Sequence, residues 1–337
     1  MRSAKDNAVR ASNAAWEVYD LLIDYASMSS KVQRVVIGLV WTLVQSEKIG
    51  LAMSPGVVTR TLPWSGELSE YSLAAVAAWV RDFDPYRATI GMAAVNAALN
   101  QMAITSPGHL LQPTREKSSN LIVFEHFLPL IRGQKIVVVG RYPGLDVFAS
   151  QEGLDLTILE RSPQSSDLPD PAAEFLIPDA DWVFLTSTTI PNKTFPRLAE
   201  LARPAKTVLM GPTTPWIPDL CHFGIDYLAG VEIHDAEVLV RTVCEGGGIR
   251  IFDRAVRYKV LPLTLDASMD WAKALICQAY AEREYHKAQM AAWYEQGHLS
   301  RYPQWQDLDG IDRRLSRLDT CYKRLWDLQP FDESCSE

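Results

Sequence analysis

Apolar positions change their period twice along the chain. Around residues 8–27 they recur at helical spacing: Trp16, Tyr19, Leu22 and Ile23 share one face, which Tyr25 and Ala26 extend. Residues 32–45, VQRVVIGLVWTLVQ, are rich in β-branched side chains and predict strand, with residues 49–53 pairing back across Ser46-Glu47-Lys48. Residues 72–82 and 89–102 return to helical spacing. Strands followed by helices make residues 1–106 a small α+β domain. The polar run 107–118, with Pro107, Gly108 and Pro113, reads as a linker.

Beyond it the pattern alternates. A helix over 120–131 leads to residues 136–139, a β-branched run apolar on both faces, as a buried parallel strand requires. Then come a helix at 145–151, strands at 155–159 and 182–186, a helix at 195–201 and strands at 207–210 and 226–228, the last ending near Gly230. A helix over 235–245 stops at Gly246, Gly247 and Gly248, and residues 256–261 make a final strand. This βαβ rhythm predicts an α/β fold over residues 119–263: a doubly wound, mainly parallel, Rossmann-like sheet. Residues 266–330 predict a C-terminal helical hairpin, 267–296 and 305–328, broken at Gly297 and Pro303. Its second helix carries the stripe Trp305, Leu308, Ile311, Leu315, Leu318, Tyr322 and Leu325. Such a hairpin packs on the sheet domain or serves as a dimerisation arm, and a homodimer is expected.

Composition narrows the function classes. The net charge of −8 over 337 residues argues against nucleic acid and against an anionic membrane surface as partners. No stretch approaches the roughly 18 apolar residues of a spanning helix. The first twenty residues have no apolar core of a secretory signal. The five cysteines are dispersed without C-x-x-C spacing, as reduced thiols of a cytoplasmic protein would be. His222 adjoins Cys221 and His234 adjoins Asp235, but neighbours on a strand point apart, so spacing predicts no dedicated metal site.

Candidate chemistry gathers where strands end. Gly140, Arg141, Tyr142, Pro143 and Gly144 follow the strand 136–139, and Glu160 with Arg161 closes the next one. Glycines there let backbone N–H groups approach a ligand, and an acid about 20 residues on suits a ribose diol. The spacing is G-x-x-x-G, not the dinucleotide G-x-G-x-x-G, which points away from NAD and toward the looser loop of S-adenosylmethionine folds. Thr186, Ser187, Thr188 and Asn192 follow the third strand, and Gly211, Pro212, Thr213 and Thr214 the fourth. Asn96, inside a helix, is placed to reach the same crevice. Ordinary turns and caps account for many of these residues equally well. The expectation is a small-molecule site for S-adenosylmethionine, with displacement at its sulfonium and with Tyr142 and Asn192 nearest the reaction. The alternative is a protein that binds a metal or metal chelate.

The motifs around Gly38, Gly66-Glu67-Leu68 and Gly91-Met-Ala-Ala-Val-Asn96-Ala carry a resemblance. So do Val139-Gly-Arg-Tyr-Pro143, Leu159-Glu160-Arg161, Asp179-Ala-Asp181, Thr186 through Thr194, Gly211-Pro-Thr-Thr-Pro215, Ala229-Gly230 and Glu245-Gly-Gly-Gly248. Over residues 10–262 the chain resembles the putative heavy-metal chelation family. The resemblance implies an enolase-N-terminal-like domain followed by a Rossmann-like one. It also implies a site where the two meet, at Asn96, the Gly140 loop, Asn192 and the Gly211 loop. The hairpin after about residue 266 departs from the usual family length.

Overall fold

The computed structural model describes residues 4–102, 107–112, 119–164 and 166–329, with backbone only for 4–14 and Ser119. Helix α1 (Ala4–Tyr25) is followed by an antiparallel meander, β1 (Arg34–Ile37), β2 (Trp41–Gln45) and β3 (Ile49–Met53). The β-rich run at 32–45 is therefore two strands. Gly38 accepts no side chain, because a Cβ there would stand 2.8 Å from Val243 O and 2.9 Å from Trp41 O, and the chain turns at that point.

Short α2 (Leu73–Ala77) and long α3 (Pro85–Gln101) back the meander. Helix α3 starts where Asp84 accepts from Arg87 N at 2.8 Å with Pro85 at the first helical position. Its residues from Ala88 to Leu99 are all buried, and most are small. Small residues let it lie almost on β3: a Cβ on Gly50 would be 2.0 Å from Ala93 O.

The rest of the chain builds an eight-stranded sheet. In sequence come β4 (His109–Leu110), α4 (Ile122–Ile131), β5 (Lys135–Val139), α5 (Leu145–Glu152), β6 (Asp155–Glu160), β7 (Leu168–Pro169), α6 (Ala173–Leu176) and β8 (Trp182–Thr186). Then follow α7 (Phe195–Leu201), β9 (Lys206–Met210), β10 (Tyr227–Ile233), α8 (Ala236–Cys244), α9 (Ile251–Arg254) and β11 (Val256–Pro262). The spatial order is β4-β11-β10-β9-β8-β5-β6-β7, parallel except that β11 runs against both its neighbours. The α/β expectation holds. In β5, Val137 and Val139 enter one core layer while Ile136 and Val138 enter the other, so both faces are covered, as the unbroken apolar run required.

Two expectations need correction. The short strand at 226–228 continues through Gly230 to Ile233, because β11 pairs with it along its whole length; the Trp216 ring stands where a side chain on Gly230 would go. The stretch taken as a linker contains β4, whose His109 and Leu110 close the outer edge of β11. Residues 113–118 of that stretch lie outside the described residues.

Helices α10 (Leu265–Glu295) and α11 (Trp305–Trp326) form the expected antiparallel pair. Ile311, Leu318 and Leu325 of the stripe are buried, while Trp305, Leu308 and Tyr322 are only partly covered. Helix α11 crosses the end of α1 at Gly310, where a Cβ would stand 2.1 Å from Ser27 O. Arg317 pairs with Asp24 at 2.6 Å and Arg324 with Glu17 at 2.8 Å, so the hairpin clasps α1. Among the described residues no helix is long and apolar enough to cross a membrane.

Candidate functional site

Strand order reverses between β5 and β8, since the chain leaves β5 for β6 on one side and returns to β8 on the other. In open α/β sheets the crevice outside the carboxyl ends at such a point is where ligands bind. The loops after β5, β8 and β9 meet there, and the meander with α3 closes over them.

Each loop is held by specific contacts. Gly140 has φ +97, and a Cβ on it would stand 2.9 Å from Thr186 Cγ2, so only glycine fits against β8. The Glu160 carboxylate accepts from Arg141 N and Arg161 N, each at 2.8 Å, and from Ser162 N at 3.4 Å. It thus ties the end of β6 to the loop after β5. Arg141 turns aside to a bidentate pair with buried Asp167, 2.7 Å to each oxygen. Pro143 O accepts from Asn120 Nδ2 at 3.0 Å, and Gly144, at φ +84, opens α5.

After β8, the Thr186 and Thr188 hydroxyls share a 3.1 Å hydrogen bond and Thr189 Oγ1 donates to Thr186 O. Asn192 is exposed, and its Oδ1 accepts from Thr194 N and Thr194 Oγ1 at 3.1 and 2.7 Å. That side chain is turned back on its own loop. Lys193, next to it, holds φ +72 and donates to Val80 O and Pro191 O, each at 2.9 Å. Arg161 is exposed and pairs with Asp170 at 3.2 Å.

After β9 the two parts of the chain are pinned together. Buried Asn96 donates to Leu51 O at 2.9 Å and to Thr213 O at 3.0 Å, and Thr213 Oγ1 accepts from Met53 N at 2.9 Å. The polar residue inside α3 is thus a bridge between the meander and the Gly211 loop. Gly211 has φ +114, and a Cβ there would lie 3.3 Å from Ser187 Oγ and 3.9 Å from Tyr142 Oη. Pro212 is half-buried beside it.

Three hydroxyls at this edge are enclosed without a hydrogen-bond partner among the described residues: Tyr142 Oη, Ser187 Oγ and Thr214 Oγ1. Burial pushes the Tyr142 phenol well above its usual range; nearby Thr186 tempers this, but its hydroxyl is already engaged with Thr188. The structure therefore brings together Asn96 with Thr213, Gly140 with Thr186, and Gly211 with Ser187 and Tyr142. It leaves Asn192 and Arg161 directed elsewhere.

One feature went unread in the sequence. Lys259 on β11 is buried, its ammonium 4.9 Å from the Trp216 ring centre and 3.3 Å from Glu232 Oε2. Its only signal is a lysine inside the apolar run YKVLPL.

A wound α/β sheet capped by a small α+β lobe, with the polar loops after β5, β8 and β9 between them, defines the class. A family model described as "Putative heavy-metal chelation" matches residues 122–262, and a second with the same description matches residues 19–99. The chain belongs to this family. A crystal structure of a DUF364-family protein of unknown function from Desulfitobacterium hafniense is similar, with TM-score 0.61 and 29% identity over 74% of this chain and 98% of that one. Another DUF364-family structure, from Pyrococcus horikoshii, has TM-score 0.58 at 19% identity over 73% of this chain and 99% of that one, a likeness of fold alone. An uncharacterized protein of Methanocaldococcus jannaschii is 29% identical over 161 residues; the match spans 46% of this chain and 58% of that relative's length.

These findings correct one expectation. Both family models carry a chelation description, and neither speaks of S-adenosylmethionine or of transfer chemistry. The geometry gives a physical reason. The carboxylate expected to hold a ribose is spent on three backbone N–H groups.

Proposed function

We propose that the protein binds a heavy-metal chelate, an ion already wrapped in a small organic ligand, in the crevice between the meander lobe and the ends of β5, β8 and β9. The observation that carries this reading is the set of enclosed, unpartnered hydroxyls of Tyr142, Ser187 and Thr214 beside Gly211. A buried hydroxyl without a partner costs about 1–3 kcal/mol, so several at one edge favour an oxygen-rich guest. Neutral hydroxyls are poor ligands for a soft ion, which prefers thiolate or imidazole. Among the described residues no three His, Cys, Asp or Glu side chains converge to hold an ion directly. Hydroxyl donors instead suit the outer carboxylate oxygens of a chelator.

Calorimetric titration with nickel–citrate, nickel chloride and citrate tests this. The expected result is saturable binding of the complex that exceeds that of either component and is lost in Ser187→Val. Stoichiometric binding of nickel chloride alone, unaffected by Ser187→Val, would overturn it.

A further inference from the structure

A separate cavity lies away from these loops. About 690 Å³ open between α1, α7, the turn at residues 218–223 and α11. That volume is in the range of small-molecule sites. One wall comes from α11, which lies beyond residue 262, where the matching family model ends. Another comes from Ala15, Trp16 and Glu17, which precede the start of the other model at residue 19. Four of its lining residues, Ala15, Trp16, Glu17 and Arg324, thus lie outside the matched family regions, and the others lie within them.

Its walls are aromatic. Trp16 meets Phe83 edge-on at 5.6 Å, and Phe83, 75% exposed, stands at the lip. Phe223 lines the far side, 5.9 Å from Phe195.

Its charge is one-sided. The two lining acids are already matched: Glu17 pairs with Arg324 at 2.8 Å and Glu200 with Arg197 at 2.8 Å. Two further lining cations, Arg203 and Lys193, make no ion pair among the described residues. Arg203 has a long 3.5 Å contact to His222 O, and Lys193 donates to two backbone carbonyls. His222, also in the lining, has its Nε2 enclosed, with no hydrogen-bond partner for that atom among the described residues. Aromatic faces and two cations outside any ion pair among the described residues define complementary chemistry. In a chain of net charge −8, a local positive excess is not a reflection of overall composition.

We propose that this cavity is a second binding site, for an aromatic organic anion such as an aryl carboxylate. The ring lies against Trp16, Phe83 and Phe223, and the carboxylate meets Arg203 and Lys193 in the lining. Arginine suits the carboxylate because its planar fork matches two oxygens.

The test is calorimetric titration of the full chain with naphthoate, naphthylmethylamine and cyclohexanecarboxylate. Naphthoate is expected to bind as one equivalent, more weakly as salt rises. The amine, which reverses the charge, and the cyclohexane acid, which removes the ring, are both expected to bind at least about tenfold more weakly. Arg203→Gln and Phe83→Ala, both at the rim, should each weaken naphthoate by about tenfold or more and leave nickel–citrate titration unchanged. Equal binding of the amine and the acid, or naphthoate binding indifferent to both variants, would overturn the proposal. So would the absence of naphthoate binding at millimolar concentration in a chain that retains its native melting profile.

Discussion

Tyr25, the last residue of α1, donates its hydroxyl to the buried carboxylate of Asp219 at 2.6 Å, across 194 residues of chain. Burial raises the Asp219 carboxyl from an ordinary 3.8 to about 6, and the Tyr25 hydrogen bond partly opposes that rise. The folded protein therefore holds this proton more tightly than the unfolded chain. The stability it contributes is full below about pH 4 and is lost as pH rises through about 6. Urea unfolding across that window should show wild type declining relative to Asp219→Asn by up to about 3 kcal/mol. Tyr25→Phe, which removes the donor, should move the upper end of the window higher.

Asn96 holds the small lobe to the sheet through Leu51 O and Thr213 O. Asn96→Ala leaves two buried carbonyls unpaired and opens a small void. The expected cost is about 2–4 kcal/mol in chemical denaturation. Proteolysis between the lobes should accelerate in parallel.

Two glycines of the small lobe should respond differently to alanine. At Gly50 the new methyl would collide with the backbone of α3, 2.0 Å from Ala93 O and 2.1 Å from Ala97 N. The helix must move, and a loss of about 3 kcal/mol or more is expected. At Gly56, φ is +67 and nothing lies within 4 Å of the new atom, so only backbone strain is felt, about 1 kcal/mol. Thermal melts of the two variants separate crowding from strain.

Glu160→Gln keeps the shape of the side chain but turns one acceptor into a donor facing backbone N–H groups. The loop then loses a charge-assisted contact at Arg141 N or Arg161 N. A destabilisation of about 1–3 kcal/mol is expected with no ligand present. An unchanged unfolding curve would show that the carboxylate does not staple the loop.

The alternation of apolar runs and turns was enough to place most strands and helices, because burial on both sheet faces leaves an unmistakable run such as residues 136–139. It failed where tertiary contacts decide. The strand through Gly230 follows its ladder with β11, and β4 is an edge partner for β11. Among the site residues, Asn96, Gly140 and Gly211 stood out because each breaks a local rule: an amide inside a helix, glycines where strands end. Glu160 was read by its position alone, and position does not reveal that three backbone groups claim its oxygens. The cavity beside α1 was invisible for a plainer reason. Trp16, Phe83, Arg203, His222 and Arg324 come from five separate parts of the chain.

The clasp of α11 over α1 at Gly310 joins two helices far apart in the chain, with Asp24 and Arg317 separated by 293 residues. While translation proceeds, the face of α1 carrying Val18, Leu21 and Leu22 lacks part of its final cover. A premature stop anywhere before residue 305 therefore leaves α1 without the helix that covers it, a greasy surface open to chaperones and proteases.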